Sequence, residues 1–351
     1  MVHHGNSHRT STYKPALAWF ATLGSAWVFV LVMLGAFTTT IGAGMAFQDW
    51  PLSNGSINPK GWLTNIAMFA EHSHRLSGTM MGLITIVLAI WVARVETRGW
   101  VRKLAWTALV IVVIQGILGG TRVKLDAVYL GNFQMSVGQF LRIPHGILAQ
   151  LYVVNLFAIA ASLSKSWIQA PLANFAVSKS LRRLGVICTA LVIIQLMVAA
   201  TMRHFYAGLA IPTFPLTPEG TLIPTVWNFR IAIHFAHRAM ALVIFVALIW
   251  YAVAIFRERA AALFRTTAVI MVALLLLQIF LGIAIIKSVR DPYFTTAHVI
   301  VGAVTLGVTF LLSWFAHRNQ LQSLPANPVE HIVPPAEEDS VHLPGSTSTS
   351  S

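Results

Sequence analysis

The sequence predicts an all-α polytopic membrane protein, with eight transmembrane helices arranged as two pseudo-repeated four-helix bundles. Three observations predict it. Only 10% of the 351 residues are charged and 56% are hydrophobic, where a soluble domain carries roughly 25% charge. Apolar stretches long enough to cross a bilayer, about 20 residues, recur eight times along the chain. Finally, Glu71-His72-Ser73-His74-Arg75 is matched by His234-Phe235-Ala236-His237-Arg238, an offset of 163 positions (237 minus 74).

The elements follow in order. Residues 1–16 form a polar N-terminal segment, and the first span, near 17–40, has no charged side chain. The second, near 66–93, opens on Glu71 to Arg75. The third, near 104–121, carries Gln115-Gly116-Ile117-Leu118-Gly119, and the fourth, near 141–163, begins with His145 after Pro144. The fifth, near 184–206, holds Cys188, the one cysteine, which reads as a small buried hydrophobe. The sixth, near 230–256, opens on His234 to Arg238. The seventh, near 267–287, has Gln278-Ile279-Phe280-Leu281-Gly282, again 163 positions after its partner. The eighth, near 294–316, carries His298. The outer loops repeat too: Ala43-Gly44 with Trp50-Pro51 matches Ala207-Gly208 with Phe214-Pro215. Blocks in one order mean that a whole bundle is duplicated, dividing the chain into halves at 17–165 and 166–318. Four helices per half give both halves the same orientation. Residues 319–351, rich in Pro, Ser, Thr and acids, read as a disordered tail.

The net charge of +13 is mainly a topology signal. Lys and Arg cluster between spans 2 and 3, 4 and 5, and 6 and 7, which places both termini in the cytoplasm. The remaining ten basic residues lie in the opposite loops and helix ends, several inside helices. Basic residues scattered over short loops make no nucleic-acid site. The natural partner of such a chain is membrane lipid. No cleavable signal peptide is evident, and no Arg/Ser-rich presequence precedes the first span. That favours a bacterial plasma membrane.

Four histidines share one position. His74, His145, His237 and His298 each lie in the first turns of an even-numbered span, roughly 5–12 Å below the outer surface at 1.5 Å per residue. An ionisable group inside a membrane marks function by default. Zinc would require four tight ligands with thiolates or carboxylates, and only Glu71 is at hand. Two imidazoles from facing helices suit the axial positions of haem iron inside an apolar bundle, giving one haem site per half. Glu71, three residues before His74, shares its face and is a candidate proton donor or acceptor. His234 takes the equivalent place in the second half. Arg75 and Arg238 either pair with haem propionates or bond loop carbonyls. His72 points about 100° away and misses the site; His204 is ambiguous. The histidines of the tails, His3, His4, His8, His317, His331 and His342, have no role.

On these residues (Glu71 to Arg75, His237-Arg238, His145 after Pro144, Ala297-His298 and the two outer loops) the chain resembles the haem A synthase family, the Cox15/CtaA proteins, over roughly residues 17–316. The resemblance implies oxidation of the C8 methyl of haem O to a formyl group by successive hydroxylations. It implies resident haem b on His237 and His298; Arg238 and Arg75, beside the histidines, are kept as candidate cofactor-binding residues. It implies substrate haem O on His74 and His145, and Glu71 as the essential acid. A haem-copper terminal oxidase would receive the haem A. A haem O synthase is the candidate substrate donor, the electron donor is unknown, and a homo-oligomer stays open. The cysteine pair that some members carry in an outer loop is absent from residues 41–65 and 207–228, and Thr38-Thr39-Thr40 stands where many members have Thr-Arg. The alternatives are a di-haem b-type electron carrier or quinol oxidoreductase, and a transporter built on a parallel repeat.

Overall fold

A computed structural model describes residues 11–129, 131, 135–258 and 262–323. It is all-helical among these residues, with eight helices long and apolar enough to cross a membrane. They are α1 (Pro15–Thr40), α2 (Ile66–Val95), α3 (Gly99–Lys124), α4 (Val137–Leu163), α6 (Lys179–His204), α7 (Phe229–Arg257), α8 (Ala262–Lys287) and α9 (Pro292–Ala316). Short helices α5 (Lys165–Gln169) and α10 (Arg318–Gln322) and a 3₁₀ turn (Leu172–Phe175) complete the described chain. The spans overrun the predicted stretches. The third runs Gly99–Lys124 rather than 104–121, because hydropathy reads only the apolar middle. Arg102, Lys103, Arg122 and Lys124 extend helix toward the interface on long aliphatic stems.

Each half closes into a ring in which α1 packs on α2, α2 on α3, α3 on α4 and α4 back on α1; α6 to α9 repeat that order. Between the halves, α4 packs on α9, α1 on α9, and α4 on α6. Exchanging the halves turns the last two contacts into each other and leaves the first unchanged. The contacts are those a two-fold repeat predicts. The central α4 and α9 are half buried over their apolar windows, against 17% for the peripheral α3 and α8. The outer faces carry Leu83, Val110, Ile117, Ile187, Leu242, Trp250 and Leu276, all exposed, as a lipid-facing surface requires.

Side-chain caps fix where the histidine-bearing helices begin. Asn65 accepts from Ala67 and Met68 N–H, Ser136 forms a capping box with Gln139, Asn228 accepts from Ile231 N–H, and Asp291 accepts from Tyr293 and Phe294 N–H. His74, His145 and His237 each lie nine residues past their cap and His298 seven. At 1.5 Å per residue that is a depth of about 10–14 Å from the cap. Gly138, two residues past the Ser136 cap, lets α4 touch the end of α3. A Cβ there would overlap the Arg122 carbonyl oxygen and lie 2.7 Å from Asp126 Cα. Backbone cannot step aside as a side chain can, so Gly138→Ala is expected to cost about 1–3 kcal/mol. It should lower Tm in detergent; an unchanged Tm would show that the corner is slack.

At the end bearing the termini, Trp100, Trp167, Trp314 and Phe315 form one aromatic cluster joining both halves and the linker. The buried Arg318 donates from Nε to Trp167 O at 2.6 Å and stacks on Phe175. Residues 319–323, assigned to the tail on composition, are therefore ordered at their start; residues 324–351 lie outside the described ones. So do His3, His4, His8, His331 and His342. Glu96, just beyond α2, is buried. Burial pushes its carboxyl up, but the Arg98 hydrogen bonds and charge override this and hold it below the usual carboxylate range. Its contribution to stability is present above the unfolded pKa and is lost as pH falls through the folded one.

Candidate functional site

In each ring the histidines come from diagonal helices: α2 with α4, and α7 with α9. These helices share no substantial packing of their own, so their side chains meet across the bundle interior, where four-helix bundles build cofactor sites. The His237 and His298 rings lie 6.4 Å apart, tilted 61°. Measured between centroids, that is the spacing of an edge-to-face ring pair. It is also about the spacing of two imidazoles each bonded through a nitrogen to one metal atom at about 2 Å. His74 and His145 lie within electrostatic reach of each other. All four rings sit deep among the helices yet keep part of their surface accessible.

The flanking helices make room. Gly35 of α1 lies against His74, where a Cβ would fall 2.7 Å from the ring, and the repeat partners Gly119 and Gly282 face His145 and His298 at 3.5 and 3.4 Å. His74 Nδ1 lies 3.3 Å from Leu31 O. Nδ1 of His145, His237 and His298, and Oε1 of Gln115, Gln195 and Gln278, are buried without a partner. The Gln115 and Gln278 carbonyls lie beside His145 and His298, short of hydrogen-bond geometry. A small turn of either ring would close that bond and fix the tautomer that leaves Nε2 free to ligate. Unmet polar atoms gathered at the histidines are what a ligand site leaves behind. The donor set fits haem. Among the described residues no three His, Cys, Asp or Glu side chains converge as a metal-ion cage requires.

Above the histidines the two halves repeat a clasp, save that the first also engages Leu52 O. Arg75 donates to Asp49 O (2.7 Å), Leu52 O (2.5 Å), Phe47 O (3.1 Å) and Glu71 Oε1 (2.6 Å). Arg238 donates to Ile211 O (2.8 Å), Thr213 O (2.7 Å) and His234 Nε2 (3.2 Å). Phe47 and Asp49 lie 164 positions before Ile211 and Thr213. Phe47 N–H donates to Glu71 Oε2 at 3.0 Å, and Ile211 N–H to His234 Nδ1 at 3.2 Å. Of the two roles open to Arg75 and Arg238, the geometry thus displays the bonding of loop carbonyls. Glu71 is ion-paired with Arg75, and it is the one acid within the eight spans.

Glu71 takes both donors at once. His234 cannot, because a neutral imidazole has a single acceptor nitrogen while both of its nitrogens face donors. His234→Glu is therefore expected to stabilise the second clasp by about 1–2 kcal/mol, read as a higher Tm; a lower Tm would show the ring already suits its neighbours. The loop held by the first clasp is itself tight. Burial pushes the Asp49 carboxyl up, yet N–H donation from Gly55 (2.7 Å) and Asn54 (2.8 Å), with the Arg75 charge, holds it below its ordinary value. His72 contacts Ser53 Oγ at 3.0 Å and Trp62, away from the pair. His317 closes α9 against Ser313 O, and Cys188 is buried.

Sequence reading missed a basic group at the same end. Arg122, ending α3, donates to Gly44 O. Arg142 of α4 pairs with Asp126 at 3.0 Å. Arg203 of α6 reaches across to α1, donating to Ala36 O (2.6 Å) and Thr40 Oγ1 (2.7 Å). His204, beside it, comes within electrostatic reach of Arg142, Arg122 and His145. The signal was present: these arginines fall on the side that the charge bias reads as outer, where positive charge is disfavoured.

The family model of COX15-CtaA, described as cytochrome oxidase assembly protein, matches residues 18–310. A protein of Bacillus licheniformis named Heme A synthase is 30% identical, over 85% of this chain and 95% of its own length. Proteins of the same name from Exiguobacterium sp. (26% identical, 86% of this chain, 92% of its own) and Geobacillus kaustophilus (28%, 87% and 93%) match likewise. With its eight apolar helices, the chain is an integral membrane protein, and it belongs to the COX15-CtaA family of cytochrome oxidase assembly proteins.

Proposed function

We propose that this protein is a haem A synthase, an oxidoreductase that converts haem O to haem A by hydroxylating the C8 methyl in successive steps until it becomes a formyl group. One observation carries the reading beyond family membership. Two like histidine pairs stand in two like bundles, and only the first has a carboxylate within a helical turn. A pure electron carrier has no use for that difference.

In this reading His237 and His298 hold the resident haem b, whose iron supplies electron transfer. His74 and His145 hold the substrate haem O. Glu71 manages protons beside the substrate and, with Arg75, fixes the loop that covers it from water. Arg75 and Arg238 bind cofactor indirectly, by holding those loops. Both termini are cytoplasmic and the sites lie toward the outer face of a bacterial plasma membrane. A haem O synthase delivers substrate, and a haem-copper oxidase takes the product.

The test is the haem content of protein purified after co-expression with a haem O supply, identified by chromatography and mass. Haem b together with haem A, or with a hydroxylated haem O, is the expected result. Haem b alone would return the electron-carrier reading, and a colourless folded protein would overturn both.

A further inference from the structure

We propose that Arg122, Arg142 and His204 form a binding site for the propionate carboxylates of the substrate porphyrin, built across the seam between the two halves. The inference rests on the first histidine pair being the haem O site.

The argument starts from charge. Arg122 has no carboxylate within ion-pair distance among the described residues, and neither has Arg203. Glu71 is taken by Arg75, and Asp126 by Arg142. Arg142 keeps a second donor, Nε, buried and without a partner. Both carboxylates lie within electrostatic reach of Arg122 but are shared with its neighbours; positive charge left partly unmet inside a low-dielectric bundle is costly, and the usual compensation is an anion. Guanidinium donors match carboxylates in geometry as well as charge.

Position says which anion. Arg142 lies three residues before His145, one turn nearer the loops on the same face of α4. Arg122 is within electrostatic reach of Arg142, His74 and His145. His204 ends a helix of the other half, and the Arg203 bonds to Ala36 and Thr40 pin that end to α1. The set therefore crowns the first pair on the loop side. A porphyrin held between His74 and His145 with its acidic edge outward meets it, with its farnesyl tail left to the apolar interior.

The two arginines of the set are also peculiar to the first half. Ile285 stands 163 positions after Arg122, and Thr295 stands 153 after Arg142, the offset that relates His145 to His298. Haem O carries its C8 methyl beside a propionate-bearing carbon. Fixing that edge fixes the reacting methyl on the side of the ring where Glu71 lies, so the set is a specificity determinant.

The test is a binding titration, free of turnover. Purified protein retaining its resident haem is titrated with haem O, and separately with haem O dimethyl ester, following the Soret band. Wild type should bind the acid at least tenfold more tightly than the ester. Arg122→Gln should lose that preference, Arg122→Lys should keep part of it, and the resident Soret band should be unchanged in both. Equal affinity of wild type for acid and ester would overturn the proposal while leaving haem A synthase standing. A loss in Arg122→Gln that is the same for acid and ester would also overturn it, marking a structural or lipid-headgroup role. If wild type binds neither haem O nor its ester, the functional reading fails and the clamp fails with it.

Discussion

His237→Ala and His298→Ala are each expected to strip the C-terminal half of its haem. The two rings come from diagonal helices that scarcely touch, and their centroids lie 6.4 Å apart. Removing either would leave a haem held by this pair with one protein ligand in place of two. A hydrogen-bonding partner behind a metal ligand is worth about 10–100-fold in affinity, so loss of the ligand itself should exceed that. Haem per protein, read from the Soret band after purification, should fall to a small fraction. His72→Ala is the control: its ring faces Ser53 and Trp62, so haem content should hold. Undiminished haem in both ligand variants would sink the pairing.

Glu71→Gln should leave a folded, haem-containing protein that does not turn over. Glutamine keeps an acceptor for Phe47 N–H, and Arg75 retains the carbonyls of Asp49, Leu52 and Phe47. The loop therefore keeps most of its ties. What is lost is a group that can give and take a proton, and such a loss typically lowers rate by 10²–10⁴-fold. The measurement is conversion of haem O by purified variant, with the resident Soret band as a check on folding. Full conversion would remove Glu71 from the mechanism and leave it a loop fastener, the role His234 fills in the other half.

Much of this was legible before any coordinates. Eight spans follow from hydropathy, and the 163-residue offset of His237 from His74 exposes the duplication, because the interior of a bundle constrains residue type at fixed spacing. The arginines show where such reading stops. Sequence sets Arg75 one residue after His74, but whether its donors meet a ligand or a loop depends on residues 47–52 folding back over α2. Backbone carbonyls have no signature in side-chain identity. His204 was ambiguous for a related reason: its neighbours Arg122, Arg142 and His145 belong to the other half, and no local pattern reports a contact over that separation. Composition is equally silent on Arg318, whose guanidinium is enclosed by Trp167, Ala170 and Phe175.

The seam between the halves maps onto itself, α4 against α9 with α1–α9 and α4–α6 exchanging. Two separate copies of a single four-helix chain would form that same seam, with identical sites on both sides and no means of telling them apart. Joining the copies end to end through residues 164–178 breaks that equality. Each copy then mutates alone, so one can keep a carboxylate at position 71 while its twin settles for an imidazole at 234. Ancestry as a symmetric dimer would make the division of labour a product of gene fusion, and the His234→Glu variant a partial return to the common form.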